Sequence, residues 1–172
     1  MKMKYIAAAL LLFGCPQVGF CTLIAEKKGM SSIVKQIQQE EGLSVMDISR
    51  IDPENGKCAL SFKTKQNLSL PKARRLIVHV MEKFRQKFNE RWDLYSRVEG
   101  GSIDTHNIDI TIDVEDFKSG DSIQKITHHD GKLYFTFSNA EQKEENYSEA
   151  LRGVYGIPRD LAKKIISNSN KK

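Results

Sequence analysis

Apolar residues along the chain switch between a helical period and a two-residue period, and the switches mark the elements. Ile33, Val34 and Ile37 share one face of a short helix that Ser31 or Ser32 can cap. Gly42 ends it, with Leu43 placed for the hydrophobic contact that follows such a stop. Residues 43–51 alternate imperfectly, as a first strand. Pro53-Glu54-Asn55-Gly56 is a turn, because proline presets φ while Asn and Gly tolerate left-handed backbone. Residues 57–63 alternate cleanly, with Cys58, Leu60 and Phe62 on one face and Lys57, Ser61 and Lys63 on the other. The two runs and their turn predict a hairpin.

The period then returns to three and four. Ala73, Ile77, Val80, Met81, Phe84, Phe88, Trp92 and Tyr95 form a broad apolar stripe over residues 71–98. Ser69 can cap this helix and Pro71 suits its first turn. A full run would be roughly 40 Å long, so a break is expected near residues 89–93. Lys72, Arg75, His79, Glu82, Lys83, Gln86, Lys87 and Glu90 occupy much of the opposite surface, which reads as solvated.

Beyond Gly100-Gly101-Ser102, Ile108, Ile110, Ile112 and Val114 alternate with Asp109, Thr111, Asp113 and Glu115, predicting a strand with one buried face. Residues 118–121 form a loop. Asp130-Gly131 joins two further strands, and a two-residue turn there sets Ile126 opposite Phe135 and His128 opposite Leu133. Residues 141–153 read as a helix with Tyr147, Ala150, Leu151 and Val154 inward, broken by Gly156. Pro158 opens a last short helix carrying Leu161, Ile165 and Ile166. Segregated hairpins and helices predict an α+β fold. The sheet is antiparallel or mixed, of about five strands (two hairpins plus one strand), packed on a long central helix with short N- and C-terminal helices.

The first residues alter where this domain must work. Lys2 and Lys4 precede nine uncharged, mostly apolar residues, 5–13, and Gly14-Cys15 closes the run. That order describes an export signal, with the lysines holding its start on the cytoplasmic side. Leu12-Phe13-Gly14-Cys15 resembles the lipobox of bacterial membrane lipoproteins, with Phe13 departing from the small residue usual at its position. The resemblance implies removal of residues 1–14, lipidation of Cys15 with fatty acyl chains such as palmitate, and a protein anchored in the bacterial cell envelope, facing the periplasm or exterior. Residues 15–29 would be a tether, 30–166 a single domain and 167–172 a disordered tail. Two alternatives keep the export. The uncharged span 5–25 is long enough for a single-pass anchor, and cleavage after Ala25 would release a secreted protein.

Composition then narrows the partners. The net charge is +5, falling to +3 once Lys2 and Lys4 leave. This excess suits a protein or an anionic envelope partner and is far from a nucleic-acid footprint. Cys21 and Cys58 remain as a possible disulfide in an oxidising compartment, although Cys58 alternates in phase with Leu60 and Phe62 and so faces the core.

Chemistry-bearing motifs are sparse. His128-His129-Asp130 is the densest, but adjacent strand residues point to opposite faces, so the two histidines do not chelate one metal. Asp130 is the turn residue. Asp109, Asp113, Glu115, Asp116 and Asp121 lack calcium-loop spacing. Gly100-Gly101-Ser102 is not a nucleophile elbow, and neither a phosphate-binding glycine loop nor a zinc-protease helix motif occurs. No cofactor is implied. The leading expectation is a non-catalytic binding or accessory lipoprotein. The alternatives are an envelope hydrolase assembled from distant residues, with His79, His106 or His128 as candidates, and a carrier of a small apolar ligand held between sheet and long helix.

Overall fold

The computed structural model describes residues 17–52, 57–91, 103–116 and 122–157 of the 172 in the chain. The signal segment with Cys15, the turn at 53–56, Trp92, Tyr95, Gly100-Gly101-Ser102, the loop at 118–121, the last helix and the tail lie outside the described residues.

The first helix, α1, runs over Gln17–Glu41. It buries Met30, Ile33, Val34 and Ile37. It begins well before the predicted cap, and Ser31 and Ser32 lie inside it. Serine costs a helix interior only a fraction of a kcal/mol, about 0.5 relative to Ala, so a continuous run passes through both residues. The stop is as the sequence implies. Gly42 takes the left-handed conformation at φ 65, Leu43 N–H returns to the Gln38 carbonyl at 3.0 Å, and Leu43 is buried.

Strand β1, Ser44–Asp52, pairs antiparallel with β2, Lys57–Thr64. The imperfect alternation of β1 has a cause. Val45, Ile48 and Ile51 are three residues apart, yet they stand opposite Phe62, Leu60 and Cys58, which are two apart. Register shifts between Val45 and Asp47, and between Ser49 and Ile51, absorb the extra residues. Met46, at the first shift, is left 49% exposed.

Helix α2 follows over Leu70–Asn89. Ser69 occupies the N-cap position, but its side chain makes no capping bond; its carbonyl accepts from Ala73 N–H at 2.9 Å instead. Ala73, Leu76, Ile77, Val78, Val80, Met81, Phe84 and Phe88 are buried. The expected break falls at the helix end. There the Asn89 amide donates to the Ile103 carbonyl at 3.2 Å and accepts Ile103 N–H at 3.1 Å. Asn89 thereby fastens the end of α2 to the segment that enters the next strand.

That strand, β3 (Ile108–Val114), lies parallel to β2, with Leu60 opposite Ile110 and Phe62 opposite Ile112. A parallel pair needs a crossover, and α2 supplies it. β4 (Ile123–His129) and β5 (Lys132–Phe137) continue antiparallel. Ile126 opposes Phe135 and His128 opposes Leu133, the predicted register. Asp130 and Gly131 both have positive φ, 48 and 74, as a two-residue hairpin turn demands.

The sheet has six strands in the order β1-β2-β3-β4-β5-β6, and only β2 and β3 run parallel. The strand absent from the expectation is β6, Gln142–Asn146, which the sequence assigned to a helix. Its five residues, QKEEN, are all polar and carry no two-residue apolar pattern. The backbone edge of β5 organises it, with Tyr134 opposite Glu144 and Lys132 opposite Asn146. Helix α3 is correspondingly shorter, Tyr147–Tyr155, and ends at left-handed Gly156.

Cys58, Leu60 and Phe62 of β2 and Ile108, Ile110, Ile112 and Val114 of β3 all turn to one side, where they meet α2 and its neighbours in a single apolar cluster. The alternate residues, among them Ser61, Thr111, Thr127 and Tyr134, form the opposite, polar face and are only partly covered. The fold is α+β, with helices against one side of a mixed sheet.

Candidate functional site

The titratable side chains nearest to a site gather at the β4–β5 turn. Asp104 caps a 3-10 turn over Thr105–Asn107, accepting His106 N–H at 2.8 Å and Asn107 N–H at 3.2 Å. This turn carries His106 across to the hairpin. His106 Nδ1 and Asp130 Oδ1 are 3.1 Å apart, and this contact holds the Asp130 carboxyl below its usual range. The His106 ring lies over Gly131, where an added Cβ would approach Cε1 to 2.9 Å. On its other side Gly131 offers its carbonyl to Tyr147 N–H at 2.9 Å, tying the hairpin tip to the start of α3.

His128 and His129 separate to opposite faces, as the alternation requires. His129 Nδ1 meets Asp109 Oδ1 at 2.9 Å on the exposed side. His128 is fully buried, with Nδ1 2.7 Å from the Ile108 carbonyl oxygen. A carbonyl only accepts, so Nδ1 carries the proton and Nε2 is bare. Nε2 is buried and has no hydrogen-bond partner among the described residues. Burial pushes the His128 pKa down to about 4, against a smaller upward pull from the Ile108 carbonyl. The ring packs edge-on against Tyr147, centroids 5.2 Å apart. Tyr147 in turn donates its hydroxyl to Glu82 Oε1 at 2.8 Å, and Arg85 holds Glu82 Oε2 at 2.7 Å.

His79 is elsewhere. It stacks on Tyr155 with centroids 5.7 Å apart, on the outer side of α2. Of the carboxylates that could have gathered around a cation, Asp109 is engaged by His129 and two others by lysines. Lys63 meets Glu115 at 3.0 Å and Lys125 meets Asp113 at 3.8 Å, while Asp116 is exposed and Asp121 lies outside the described residues. Among the described residues no group of three His, Cys, Asp or Glu side chains is arranged to hold a metal ion. Cys58 is a free, buried thiol whose pKa burial raises well above the normal thiol range, so it is an inert core residue. The side chain of its possible partner, Cys21, lies outside the described residues.

The arrangement therefore brings His106, His129, Asp109 and Asp130 to one end of the sheet as two surface pairs. Each pair orients an imidazole, but no hydroxyl or thiol nucleophile is hydrogen-bonded to either ring among the described residues, and both rings stand at the exposed surface. Sequence reading missed two surface cavities. One, about 370 Å³, lies beside Arg74, Glu145 and Glu149. The other, about 240 Å³, lies where the end of α1 meets the start of α2, beside Lys72 and Arg75. Their signal was the spacing of cations on the polar face of α2, which is hard to tell from an ordinary solvated face.

Among the described residues no helix is long and apolar enough to cross a membrane. The chain matches no protein-family model, no curated protein and no solved structure.

Proposed function

We propose that the chain is a non-catalytic binding or accessory protein of a bacterial cell envelope, exported by residues 1–14 and held at a membrane by lipid on Cys15. A multi-acyl anchor would hold it firmly, since each buried methylene contributes about 0.8 kcal/mol. The domain would then present its surfaces to a protein or an anionic envelope component.

One observation carries the non-catalytic half of this reading. Each of the four histidines has its own structural contact: His79 with Tyr155, His106 with Asp130, His128 with Ile108 and His129 with Asp109. Two of these pair with an aspartate, as a catalytic base would, but at an exposed surface where water competes.

The test replaces His106 and His129 together by Asn in the full chain and compares photo-crosslinked adducts in intact cells. The reading expects a discrete partner to be captured equally by the wild type and the double variant. A hydrolytic activity present in the wild type and lost in a correctly folded double variant would contradict it.

A further inference from the structure

We propose that the cavity between the end of α1 and the start of α2 binds a compact oxyanion, a carboxylate or a phosphate group, on Lys72 and Arg75. The inference rests on reading the domain as a binding protein and names what this site takes.

Charge pairing along α2 points to the ligand. Arg74 is held by Glu145 at 2.8 Å and Arg85 by Glu82 at 2.7 Å. Lys83 reaches Glu40 at 2.8 Å and also binds Glu41, while Lys87 lies 3.0 Å from Gln36 Oε1 and 3.5 Å from Glu40. Lys72 and Arg75 are the cations of α2 that make no hydrogen bond or ion pair among the described residues, and both line this cavity. The cavity holds about 240 Å³. Its acids, Glu40 and Glu41, do not supply the missing partner, because Lys83 already clasps both, and this contact lowers the Glu40 pKa and raises that of Lys83.

Two further features favour an anion. The first turn of α2 has no acidic residue to offset Lys72, and Arg75 follows three positions later, so two like charges face each other across one helical turn. Leu68, which is buried, closes part of the wall, and an apolar wall strengthens a charge–charge contact beside it. The fork of Arg75 matches the two oxygens of a carboxylate or phosphate, with Lys72 as a point charge beside it. Gln66 uses one amide N–H on the Glu41 carbonyl at 3.3 Å, and its other amide hydrogen is available to the ligand.

The test is calorimetric titration of the purified full chain in detergent micelles with inorganic phosphate and, separately, with acetate. Lys72→Gln, Arg75→Gln and Lys132→Gln are measured beside the wild type. The expected result is saturable one-to-one binding, weakened about tenfold or more by each α2 substitution and unchanged by the third. Tighter phosphate assigns a phosphate-bearing ligand, and tighter acetate a carboxylate. Lys72 and Arg75 are exposed, so the variants should unfold at the wild-type temperature. Absence of saturable binding to either ion, or binding that survives both α2 substitutions, would overturn the proposal. This measurement does not involve the cellular partner, so it fails or succeeds separately from the crosslinking result.

Discussion

His128 Nδ1 lies 2.7 Å from the carbonyl oxygen of Ile108 on the neighbouring strand, and that contact fixes which nitrogen of a fully buried imidazole carries the proton. Its other nitrogen points into the protein without a donor among the described residues. Protonation would place a charge between β3, β4 and Tyr147, where burial costs it more than the nearby Asp109 carboxylate returns.

This has a consequence for pH. The folded pKa of about 4 lies below the ordinary value of 6.5. Between those values the unfolded chain binds the proton and the folded chain does not, so stability rises with pH through that window. The contribution is complete above about pH 6.5 and falls by about 3 kcal/mol on acidification to pH 4. Urea unfolding across this range should show the slope in the wild type and lose it in His128→Leu. A wild-type profile that is flat between pH 4 and 6.5 would contradict the assignment.

Tyr147 joins α3 to α2 through its 2.8 Å bond to Glu82. Tyr147→Phe keeps the ring against His128 and leaves Glu82 with Arg85 alone, costing about 1–2 kcal/mol. Tyr147→Ala also empties the ring's place and should cost about 3–5 kcal/mol. Denaturant midpoints measured side by side check the order, and equal losses for both variants would show that the ring does not pack as described.

Gly131 answers two demands, a φ of 74 and the His106 ring across it. Gly131→Ala should cost about 1–3 kcal/mol from the backbone alone. A double-mutant cycle separates the two terms. Adding His106→Ala should recover the part due to the clash and leave the backbone part. Strict additivity would mean that His106 does not lie over the turn.

Asn89 satisfies both backbone groups of Ile103 with one side chain. Asn89→Ala should cost about 1–3 kcal/mol, and hydrogen exchange should accelerate at the Ile103 amide more than in the centre of β3. Unchanged protection at Ile103 would remove this tie.

Much of the fold could be read from residues that decide their own geometry. Asp130-Gly131 fixed a turn and through it the β4–β5 register, and Gly42-Leu43 marked the end of α1. The misses share a physical cause. β6 is set by the hydrogen-bonding edge of β5, which the residues Gln142–Asn146 do not announce. The bulges in β1 follow from its pairing with β2, and an isolated strand does not reveal where an extra residue is absorbed. The candidate site was less legible still. His128 showed its inward phase in the sequence, but its tautomer depends on Ile108, twenty residues away. Lys72 and Arg75 were visible as two cations among many. What distinguishes them is the carboxylates that engage their neighbours from α1, β6 and α2 itself.

The most direct test of the functional account is mass spectrometry of the mature N-terminus, purified from membranes of the cells that make the protein. The account predicts that residues 1–14 are gone and that the first residue is Cys15 bearing fatty acyl groups. A free N-terminus at Glu26, or an intact Met1, would contradict it.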